Sequence, residues 1–396
     1  MNTWQETTLG AVATIKHGWP FKSECMVDQQ EGKPIVVSIG NFNYTGGFRF
    51  SETKIREYVG EYPEEYSLLP GDILLIMTCQ TEGGEILGIP GMIPNDGKNY
   101  LHNQRLGKVV IHDNKRVIQD FLYYYFLTQD FNQQLVGSAS GTKIVHTAPS
   151  RIEACSISLP PLLEQRVIAA LLRGIDKKID LLHRQNKTLE AMAETLFRQW
   201  FVEDAQEGWD ERPLSSIANF LNGLACQKYP PTNDLEKLPV LKIRELSNGI
   251  SETADWATSQ VKPGYIVEAG DVIFAWSASL MVKVWDGEKC VLNQHLFKVT
   301  SDKFPKWFYL RWCKHHLAEF VAVAASHATT MGHIKRGDLD TAMVLVPPPP
   351  VLETMSKQMQ PLLDKQIAIA RQRKTLEKLR DTLLPKLMSG EVRVAY

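Results

Sequence analysis

The second half of this 396-residue chain repeats the first, and no other feature constrains the fold as strongly. The segment Arg184–Glu190 returns as Arg371–Glu377 with six identical residues in seven, at an offset of 371 − 184 = 187 positions. Pro160-Pro161 recurs as Pro347-Pro348 at the same offset. Similarity between two halves of a chain indicates a duplicated structural unit, so the sequence predicts two copies of one fold.

The offset between matching residues grows toward the start of each copy. The matches are Asn103-Gln104 with Asn293-Gln294 at 190, Gly71-Asp72 with Gly270-Asp271 at 199, and Gly18 with Gly223 at 205. Insertions and deletions therefore lie in the front part of each copy. The back part has kept its length.

Composition is that of a folded, water-soluble protein, with 22% charged and 44% hydrophobic residues. No apolar run approaches the roughly 20 residues that cross a bilayer, and the N-terminus lacks the pattern of a signal peptide, so we expect a cytoplasmic protein. The net charge of −1 argues against a uniformly basic nucleic-acid-binding surface. DNA binding would require local basic patches or phosphate contacts from a partner.

Each front part is rich in strand signals, which are short apolar runs bounded by Gly or Pro. The predicted strands are 34–39, 72–77 and 106–111 in the first copy and 239–243, 271–276 and 296–299 in the second. One helix is expected after the strands in each copy, around Phe121 to Phe131 and around Trp307 to Ala318. These patterns indicate mixed α/β domains.

Each back part has apolar residues at alternating steps of four and three, which is typical of a coiled-coil seam. The predicted helix-packing residues are Ile168, Leu172, Ile175, Ile179, Leu182, Asn186, Leu189, Leu196, Trp200, Leu362, Ile369, Leu376 and Leu383. The second seam is less regular. Pro361 is expected to start or kink its helix, and Pro385 to distort its last turn.

The predicted fold class is α+β, with two mixed α/β domains separated by two long antiparallel helices that form a coiled coil. The second helix must run antiparallel to the first to bury its seam, which gives an internal repeat with pseudo-two-fold symmetry. The expected boundaries are 1–158 and 206–345 for the two domains, with helical regions at 159–205 and 346–396.

Patterns of catalytic residues are missing: the sequence has no H-E-x-x-H, no G-x-S-x-G and no G-x-G-x-x-G after a strand. The six cysteines are scattered singly, without the spacing of a metal site. We therefore expect no catalytic residue, no metal and no cofactor bound by this chain.

Polar and partly basic loops recur at equivalent places in the two front parts, and their side chains are of the types that contact phosphates and base edges. The candidate DNA-binding residues are Lys22, Gln80, Arg105, Thr142, Lys143, His146, Lys228, Lys242, Arg244, His295, Thr330, His333, Lys335 and Arg336. For any one of them, an ordinary solvated loop is an equally good interpretation.

Two motifs give the chain a resemblance to a known family. They are Leu159–Gln165, ahead of the first long helix, and Leu383–Val392, at the end of the second. With these motifs and the alternation of front and back parts, the chain resembles the specificity subunit of a Type I restriction-modification system. One departure is the second lead-in, Pro347–Thr354, which lacks the Glu-Gln of the first.

The resemblance implies that each domain is a target recognition domain reading one half of a bipartite, asymmetric site in double-stranded DNA. The helices would set the spacer and dock two modification (methyltransferase) subunits, and restriction (motor-nuclease) subunits would join the complex. S-adenosylmethionine, ATP and Mg would be bound by those partners. The alternative is a coiled-coil scaffold or adaptor that binds only proteins, which the near-neutral charge favours.

Overall fold

The computed structural model describes residues 4–28, 32–50, 53–81, 83–141, 143–326 and 332–395. The chain divides into two compact units. Unit 1 comprises Met1–Asp176 with Leu379–Tyr396, and unit 2 comprises Lys177–Lys378. No helix in the described ranges is both long enough and apolar enough to cross a membrane.

Unit 1 is built mainly from short strands. Its elements up to the first long helix are β1 (Gln5–Thr8), β2 (Ala13–His17), β3 (Met26–Asp28), β4 (Ile35–Val37), β5 (Arg56–Tyr58), β6 (Ser67–Leu68), β7 (Ile73–Ile76), β8 (Thr78–Cys79), β9 (Pro90–Met92), β10 (Tyr100–His102), β11 (Leu106–Ile111), α1 (Gln119–Tyr125), α2 (Gln129–Ser138), β12 (Val145–His146), α3 (Pro149–Glu153) and β13 (Ser156–Leu159). The strand orders are β3-β5-β4-β10-β6, β2-β11-β7-β9, β1-β13 and β12-β8.

The first long helix, α4 (Leu162–Arg198), continues into a π-helical turn at Gln199–Glu203. The elements that follow are β14 (Asp210–Pro213), α5 (Leu214–Ile217), β15 (Asn219–Asn222), β16 (Lys237–Leu241), α6 (Ile243–Asn248), β17 (Trp256–Thr258), β18 (Ile266–Val267), β19 (Val272–Ala275), β20 (Met281–Val284), β21 (Cys290–Leu292), β22 (Leu296–Thr300), α7 (Lys306–His315), α8 (Leu317–Ser326), α9 (Arg336–Thr341), β23 (Met343–Val346) and the second long helix α10 (Pro349–Met388). In unit 2 the strand orders are β15-β22-β19-β20, β17-β16-β21-β18 and β14-β23.

The two units share one topology, as the repeat predicts. The order β2-β11-β7-β9 corresponds to β15-β22-β19-β20, and β5-β4-β10-β6 corresponds to β17-β16-β21-β18. Each second sheet contains one parallel pair, β4 with β10 and β16 with β21. Unit 1 adds the edge strand β3, and unit 2 adds α6, so the additional segments lie in the front parts.

The central strands β7 and β19 are buried on both faces. Ile73 and Leu75 pack in the cluster that includes α1 and α2, whereas Leu74 and Ile76 pack in a second cluster with β4 and β10. Successive side chains of a strand point to opposite faces, so a strand between two layers needs apolar residues at every position. The predicted runs at 72–77 and 271–276 meet this requirement, and the predicted strands are confirmed in both units.

The single helix expected after the strands is wrong in both units, because two helices occupy each segment. In unit 1, Thr128 has extended backbone angles and its hydroxyl accepts a hydrogen bond from the Phe131 N–H at 3.3 Å. This N-cap ends one helix and starts the next. In unit 2, α7 ends at His315 and α8 begins at Leu317.

The two long helices run antiparallel, and contacts within each unit show the direction. In unit 1 the Arg380 guanidinium lies 3.2 Å from the Asp176 carboxylate, and in unit 2 the Gln366 amide donates to Glu190 at 2.9 Å. In unit 1 a second pair shows the same direction, because Arg393 follows Arg380 in the chain and pairs at 2.5 Å with Glu164, which precedes Asp176.

Pro361 does not start the second long helix, which runs unbroken from Pro349 to Met388. Proline suits the first helical turn, where its missing N–H costs nothing, so Pro349 begins the helix. Pro361 and Pro385 are exposed, and the carbonyl groups that lose a donor there can bind water instead.

The missing Glu-Gln of the second lead-in has a structural explanation. In unit 1, Glu164 is fully buried and forms a bidentate ion pair with Arg393 at 2.5 and 2.7 Å. The Gln165 side-chain oxygen accepts a hydrogen bond from the Ile118 N–H at 3.0 Å. At an offset of 187, Glu164 and Gln165 correspond to Val351 and Leu352, which pack against the apolar core of unit 2.

Within each unit the long-helix segments pack on the sheet-rich part. Ile168, Leu172 and Ile175 are buried in unit 1, and Leu182 and Ile369 are buried in unit 2. The other predicted helix-packing residues are partly buried, namely Ile179, Asn186, Leu189, Leu196, Trp200, Leu362, Leu376 and Leu383. Phe197 and Leu363, absent from the predicted seam, are buried next to Leu196 and Leu362.

A buried polar contact joins the first helix after the strands to α4 in each unit. In unit 2, the Arg311 guanidinium is only 2% exposed and donates two hydrogen bonds of 2.8 Å to Glu190, which also accepts from Lys314 at 2.6 Å. In unit 1 the residue equivalent to Arg311 is Tyr124, since 311 − 124 = 187, and its hydroxyl donates to Asp176 at 2.7 Å.

Replacing Glu190 with Gln should destabilise unit 2, because the buried Arg311 guanidinium loses its nearer counter-charge and keeps only Glu194, whose carboxylate lies 3.5 Å away. We expect a loss of about 2–4 kcal/mol, at the lower side of the cost of breaking a buried pair since Glu190 is 40% exposed. Tryptophan fluorescence during urea unfolding measures it, since seven of the nine tryptophans lie in unit 2. Glu353→Gln removes an exposed pair with Lys357 and should change little.

The Glu190 contribution should also depend on pH. Burial alone would raise the pKa of Glu190, but the hydrogen bonds and charges of Arg311 and Lys314 lower it to about 2. A carboxylate with a lowered pKa stabilises the fold above its unfolded-state pKa, near 4.3, and loses this effect as the pH falls toward 2. The stability difference between wild type and Glu190→Gln should therefore shrink over that range, and a constant difference would contradict the ion pair.

Candidate nucleic-acid interface

In unit 1 a turn closed by its own asparagine connects β10 to β11. The Asn103 carbonyl oxygen accepts from the Leu106 N–H at 3.0 Å, and the Asn103 side-chain oxygen accepts from the Arg105 N–H at 3.0 Å. The Gln104 N–H donates to the Trp19 carbonyl oxygen at 3.1 Å. The backbone amides are thus satisfied, and the side chains of Gln104 and Arg105 are exposed.

Unit 2 builds the same turn between β21 and β22. The Asn293 carbonyl oxygen accepts from Leu296 at 3.0 Å, and its side-chain oxygen accepts from the His295 N–H at 3.3 Å. The Gln294 N–H donates to the Leu224 carbonyl oxygen at 2.8 Å. All three hydrogen bonds have a counterpart in unit 1, so the sequence match Asn-Gln reflects one conserved backbone conformation within the repeat.

A glycine lies against each turn. Trp19 forms a parallel bridge with Asn103, and Leu224 forms one with Asn293. The preceding residues, Gly18 and Gly223, therefore lie against the two turns. A Cβ atom on Gly18 would overlap the carbonyl oxygen of Asn103, and one on Gly223 would overlap that of Asn293. Close approach between backbones explains why both copies have glycine here.

In unit 1 the end of the central strand and a histidine loop adjoin the turn. The Met77 N–H donates to the Arg105 carbonyl oxygen at 3.1 Å, and the Met77 carbonyl oxygen accepts from Thr147 at 3.0 Å. Thr78 pairs with His146 across β8 and β12, and the Thr78 hydroxyl lies 3.0 Å from the imidazole Nδ1.

Unit 2 has the same arrangement. The Trp276 N–H donates to the His295 carbonyl oxygen at 3.4 Å, and the Trp276 carbonyl oxygen accepts from Ile334 at 3.1 Å. Ser277 forms an antiparallel bridge with His333, and its hydroxyl lies 3.2 Å from Nδ1 of His295.

We call each of these surfaces a turn cluster. The unit 1 turn cluster comprises Met77–Thr78, Asn103–Arg105 and His146–Thr147, and the unit 2 turn cluster comprises Trp276–Ser277, Asn293–His295 and His333–Ile334. Each cluster thus brings two of the predicted residues together, Arg105 with His146 and His295 with His333.

The side chains differ most at the strand end. Trp276 is half-buried and stacks on Phe297 with ring centroids 5.6 Å apart, and its indole N–H donates to Asn222 at 3.2 Å. The imidazole of His295 lies 6.0 Å from the same indole ring. The unit 1 equivalent is Met77, which is buried. The two clusters therefore share a backbone conformation and present different side chains at the strand end.

His102, next to the unit 1 turn, stabilises that turn through a side-chain hydrogen bond. It is buried and its Nε2–H donates to the Leu106 carbonyl oxygen at 2.8 Å. Burial lowers the pKa of His102 to about 4, which keeps the imidazole neutral near pH 7. This histidine holds the turn and offers no charge to a ligand.

Several predicted residues lie outside the turn clusters on the surface of their units. Lys22 and Lys228 are exposed at or beside short 3-10 helices that follow Trp19 and Leu224 in the chain. Gln80 and Lys143 are exposed. Thr142 and Thr330 lie outside the described residues.

Two predicted cations have acidic partners. The ammonium group of Lys242 pairs with Asp255, and the Arg244 guanidinium lies 2.8 Å from the buried Glu245 carboxylate. A carboxylate this close offsets the positive charge, which weakens the attraction to a phosphate. In contrast, Arg105, Lys143 and Lys335 have no ion pair with any residue in the described ranges.

The last two predicted cations flank the start of α9. Lys335 is the N-cap residue, and its N–H donates to the Asp338 carboxylate at 2.6 Å while its side chain is exposed. The Arg336 guanidinium donates to the Phe220 carbonyl oxygen at 3.3 Å. Lys335 follows the unit 2 turn cluster directly in the chain.

Among the residues of the turn clusters, the sequence predicts Arg105, His146, His295 and His333 as DNA-binding and misses the side chains at the strand end. Thr78, Ser277 and Trp276 were assigned no binding role, although each sits between the strand and the loops. The signal was present: Thr78 and Ser277 differ by 199, the offset of the matched Gly-Asp pairs. The same offset pairs Met77 with Trp276. These two residues therefore occupy equivalent positions at the strand end and have different side chains.

Gly18→Ala and Gly223→Ala should each displace a turn cluster, because the added methyl group has no space against the asparagine carbonyl. We expect a loss of about 1–3 kcal/mol in unfolding free energy. The matched control is Gly137→Ala at an exposed position of α2, where a Cβ meets nothing and alanine favours the helix by up to about 1 kcal/mol. Equal effects of Gly18→Ala and Gly137→Ala on urea unfolding would contradict the close approach.

Comparison with known proteins gives concordant results. Residues 1–191 and 206–378 match the family described as the Type I restriction modification DNA specificity domain. The chain is 25% identical over 303 residues to the Type I restriction enzyme MjaIX specificity subunit of Methanocaldococcus jannaschii, covering 70% of each chain. It is 19% identical to the HindI specificity subunit of Haemophilus influenzae over 99% of this chain and 100% of that protein.

A solved structure shares the fold. The S subunit of the Type I restriction-modification system of M. genitalium superposes with a TM-score of 0.62 at 14% identity, over 98% of this chain and 96% of that chain. The family match covers both copies of the repeat. The chain therefore belongs to the Type I restriction modification DNA specificity domain family, the family of the non-catalytic DNA-recognition subunits of these systems.

Proposed function

We propose that this chain reads a bipartite, asymmetric sequence in double-stranded DNA, with residues 1–158 and 206–345 acting as two target recognition domains. The observation that carries the proposal is the pair of turn clusters. They have the same hydrogen bonds from backbone amides but differ at the strand end, where Met77 is buried and Trp276 is half-buried. One scaffold with two sets of side chains suits two half-sites of different sequence.

The contacts of the predicted DNA-binding residues suggest which of them reach DNA. Within the proposal, Arg105, His146, His295, His333 and Lys335 belong to or directly follow a turn cluster. Lys22, Gln80, Lys143 and Lys228 are exposed and extend the surface. Lys242, Arg244 and Arg336 contribute less, since each already contacts a carboxylate or carbonyl group of its own unit.

The helical regions 159–205 and 346–396 would set the spacer between the half-sites. At about 1.5 Å per residue, the 37 residues of α4 extend roughly 55 Å. Since B-DNA rises about 3.4 Å per base pair, a spacing device of this length corresponds to at most roughly 16 base pairs.

The helices would also dock two modification subunits. Supporting this, α4 leaves large apolar residues exposed, Leu163 and Leu171 in unit 1 and Leu181 and Met192 in unit 2. Leu181 and Met192 are 11 residues apart, which places them within about 20° of each other around a helix of about 3.6 residues per turn. Within the proposal, these two residues lie on the face of α4 that contacts a modification subunit.

Within this proposal the complex is cytoplasmic and includes restriction subunits, and S-adenosylmethionine, ATP and Mg act on the partner subunits. The alternative, a scaffold that binds only proteins, is less favoured, because the family match runs through both sheet-rich parts as well as the helices. The near-neutral charge is compatible with DNA binding when partner subunits supply part of the phosphate contacts.

A domain exchange tests whether the two domains recognise their half-sites independently. Replacing residues 1–155 with the corresponding domain of another family member should change one half of the methylated sequence and leave the other half and the spacer unchanged. Sequencing of adenine methylation in cells that contain the chimera and a modification subunit measures this outcome. Simultaneous change of both halves would refute two independent recognition domains.

A helix insertion tests the spacer. Adding one heptad beside Asn186, with a matching heptad in α10 beside residue 370, should lengthen the spacer by about 3 base pairs, since seven residues extend a helix about 10 Å. The half-site sequences should stay the same. A spacer of unchanged length in the same methylation assay would show that the helices do not set it.

A further inference from the structure

The two turn clusters combine a shared part with a divergent part. The shared part is the Asn-Gln turn, whose three backbone hydrogen bonds and supporting glycine are the same in both units. The divergent part is the strand end, where the buried Met77 corresponds to the half-buried Trp276 with its aromatic and imidazole neighbours. The two parts touch each other through a backbone hydrogen bond in each unit.

Two half-sites of different sequence have only one chemistry in common, the sugar–phosphate backbone. A residue that meets the same group in both half-sites can therefore be held identically in both recognition domains. A residue that reads bases must differ between them. About half to two-thirds of protein–DNA hydrogen bonds go to the backbone and fix the register of the protein on the duplex.

The side chains of the shared turn suit a phosphate. Gln104 and Gln294 carry an amide donor, and the next residue carries a guanidinium in Arg105 and an imidazole in His295. The His295 imidazole lies 3.2 Å from the Ser277 hydroxyl at Nδ1 and 3.4 Å from the Gln294 amide nitrogen at Nε2. Arg105 is exposed and has no ion pair with the described residues. In contrast, the cations Lys242 and Arg244 on the same protein are held by carboxylates.

We propose that the turns Asn103–Arg105 and Asn293–His295 are a matched pair of phosphate-binding elements that position both recognition domains on the DNA backbone without reading sequence. Base reading then falls to the divergent residues around them, Trp276 among them. This inference rests on the proposed function, since it divides the DNA-binding surface into a positioning part and a reading part.

An exchange of side chains between the turns tests the assignment. The double variant Arg105→His with His295→Arg keeps one arginine and one histidine but moves each to the other unit. For phosphate-binding turns, the methylated sequence in cells should keep both half-sites. A changed or relaxed base at a fixed position of either half-site would overturn the proposal, because it would show that these residues read bases.

Salt dependence of binding gives a second readout. The complex of the chain with its modification subunits is titrated with labelled target duplex and with a scrambled duplex at several salt concentrations. Arg105→Ala should reduce the slope of log affinity against log salt by about one, as for the loss of one phosphate contact. Target and scrambled DNA should weaken by the same factor, so their ratio stays constant.

The control variant is Lys115→Ala. Lys115 is an exposed cation in the loop after β11, at the end of that strand opposite to the turn, and should leave the slope unchanged. If Arg105→Ala lowers the target-to-scrambled ratio tenfold or more at constant slope, Arg105 reads a base, as a base contact worth about 1–3 kcal/mol would. An unchanged slope and ratio would also overturn the proposal. Failure of the wild-type complex to prefer any duplex would instead contradict the proposed function.

Discussion

A polar contact between the sheet-rich part and the long helix α4 positions the rest of each unit. In unit 2 it is the Arg311–Glu190 ion pair, and in unit 1 it is the Tyr124–Asp176 hydrogen bond. Apolar packing alone would tolerate sliding of one helix over another, because hydrophobic contact is non-directional. A buried charge or hydroxyl whose partners lie at fixed positions, as Glu190 and Glu194 do for Arg311, penalises each alternative register. These contacts thus fix where each domain sits on its segment of helix.

The residue on the sheet-rich side of the contact holds an equivalent position in the two copies, but its chemistry and its partner have changed. Tyr124 and Arg311 are equivalent in the repeat, yet one is neutral and the other charged, and their carboxylate partners lie at different positions of α4. The turn clusters show the same separation, with one backbone arrangement and divergent side chains. Duplication followed by divergence of the contact residues accounts for two units that share one topology and present different side chains.

The sequence predicts most of the fold because apolar periodicity reports local structure and the repeat supplies each pattern twice. The central strands at 72–77 and 271–276 and the long helix from Glu164 follow from periodicity alone. The errors arise where a single residue or its surroundings determines where a helix begins or ends. Thr128 ends a helix through a hydroxyl cap that periodicity does not reveal, and Pro361 is tolerated in a helix because it faces solvent.

The candidate site was less predictable than the fold. Residue type singles out Lys242 and Arg244 as readily as Arg105, but the structure shows that Lys242 pairs with Asp255 and that Arg244 pairs with its neighbour Glu245, and the sequence does not show that these pairs form. Repeat offsets carry more information than residue type, since they identify equivalent positions such as Met77 and Trp276 before any contact is known.

Methylation sequencing of cells that contain this chain with its modification subunit, compared with cells that lack the chain, tests the central claim most directly. If the chain is the DNA-recognition subunit, adenine methylation occurs at one bipartite motif with two different halves and a fixed spacer, and only in cells that contain the chain. A continuous motif, two identical halves, or the same methylation in the absence of the chain would contradict it.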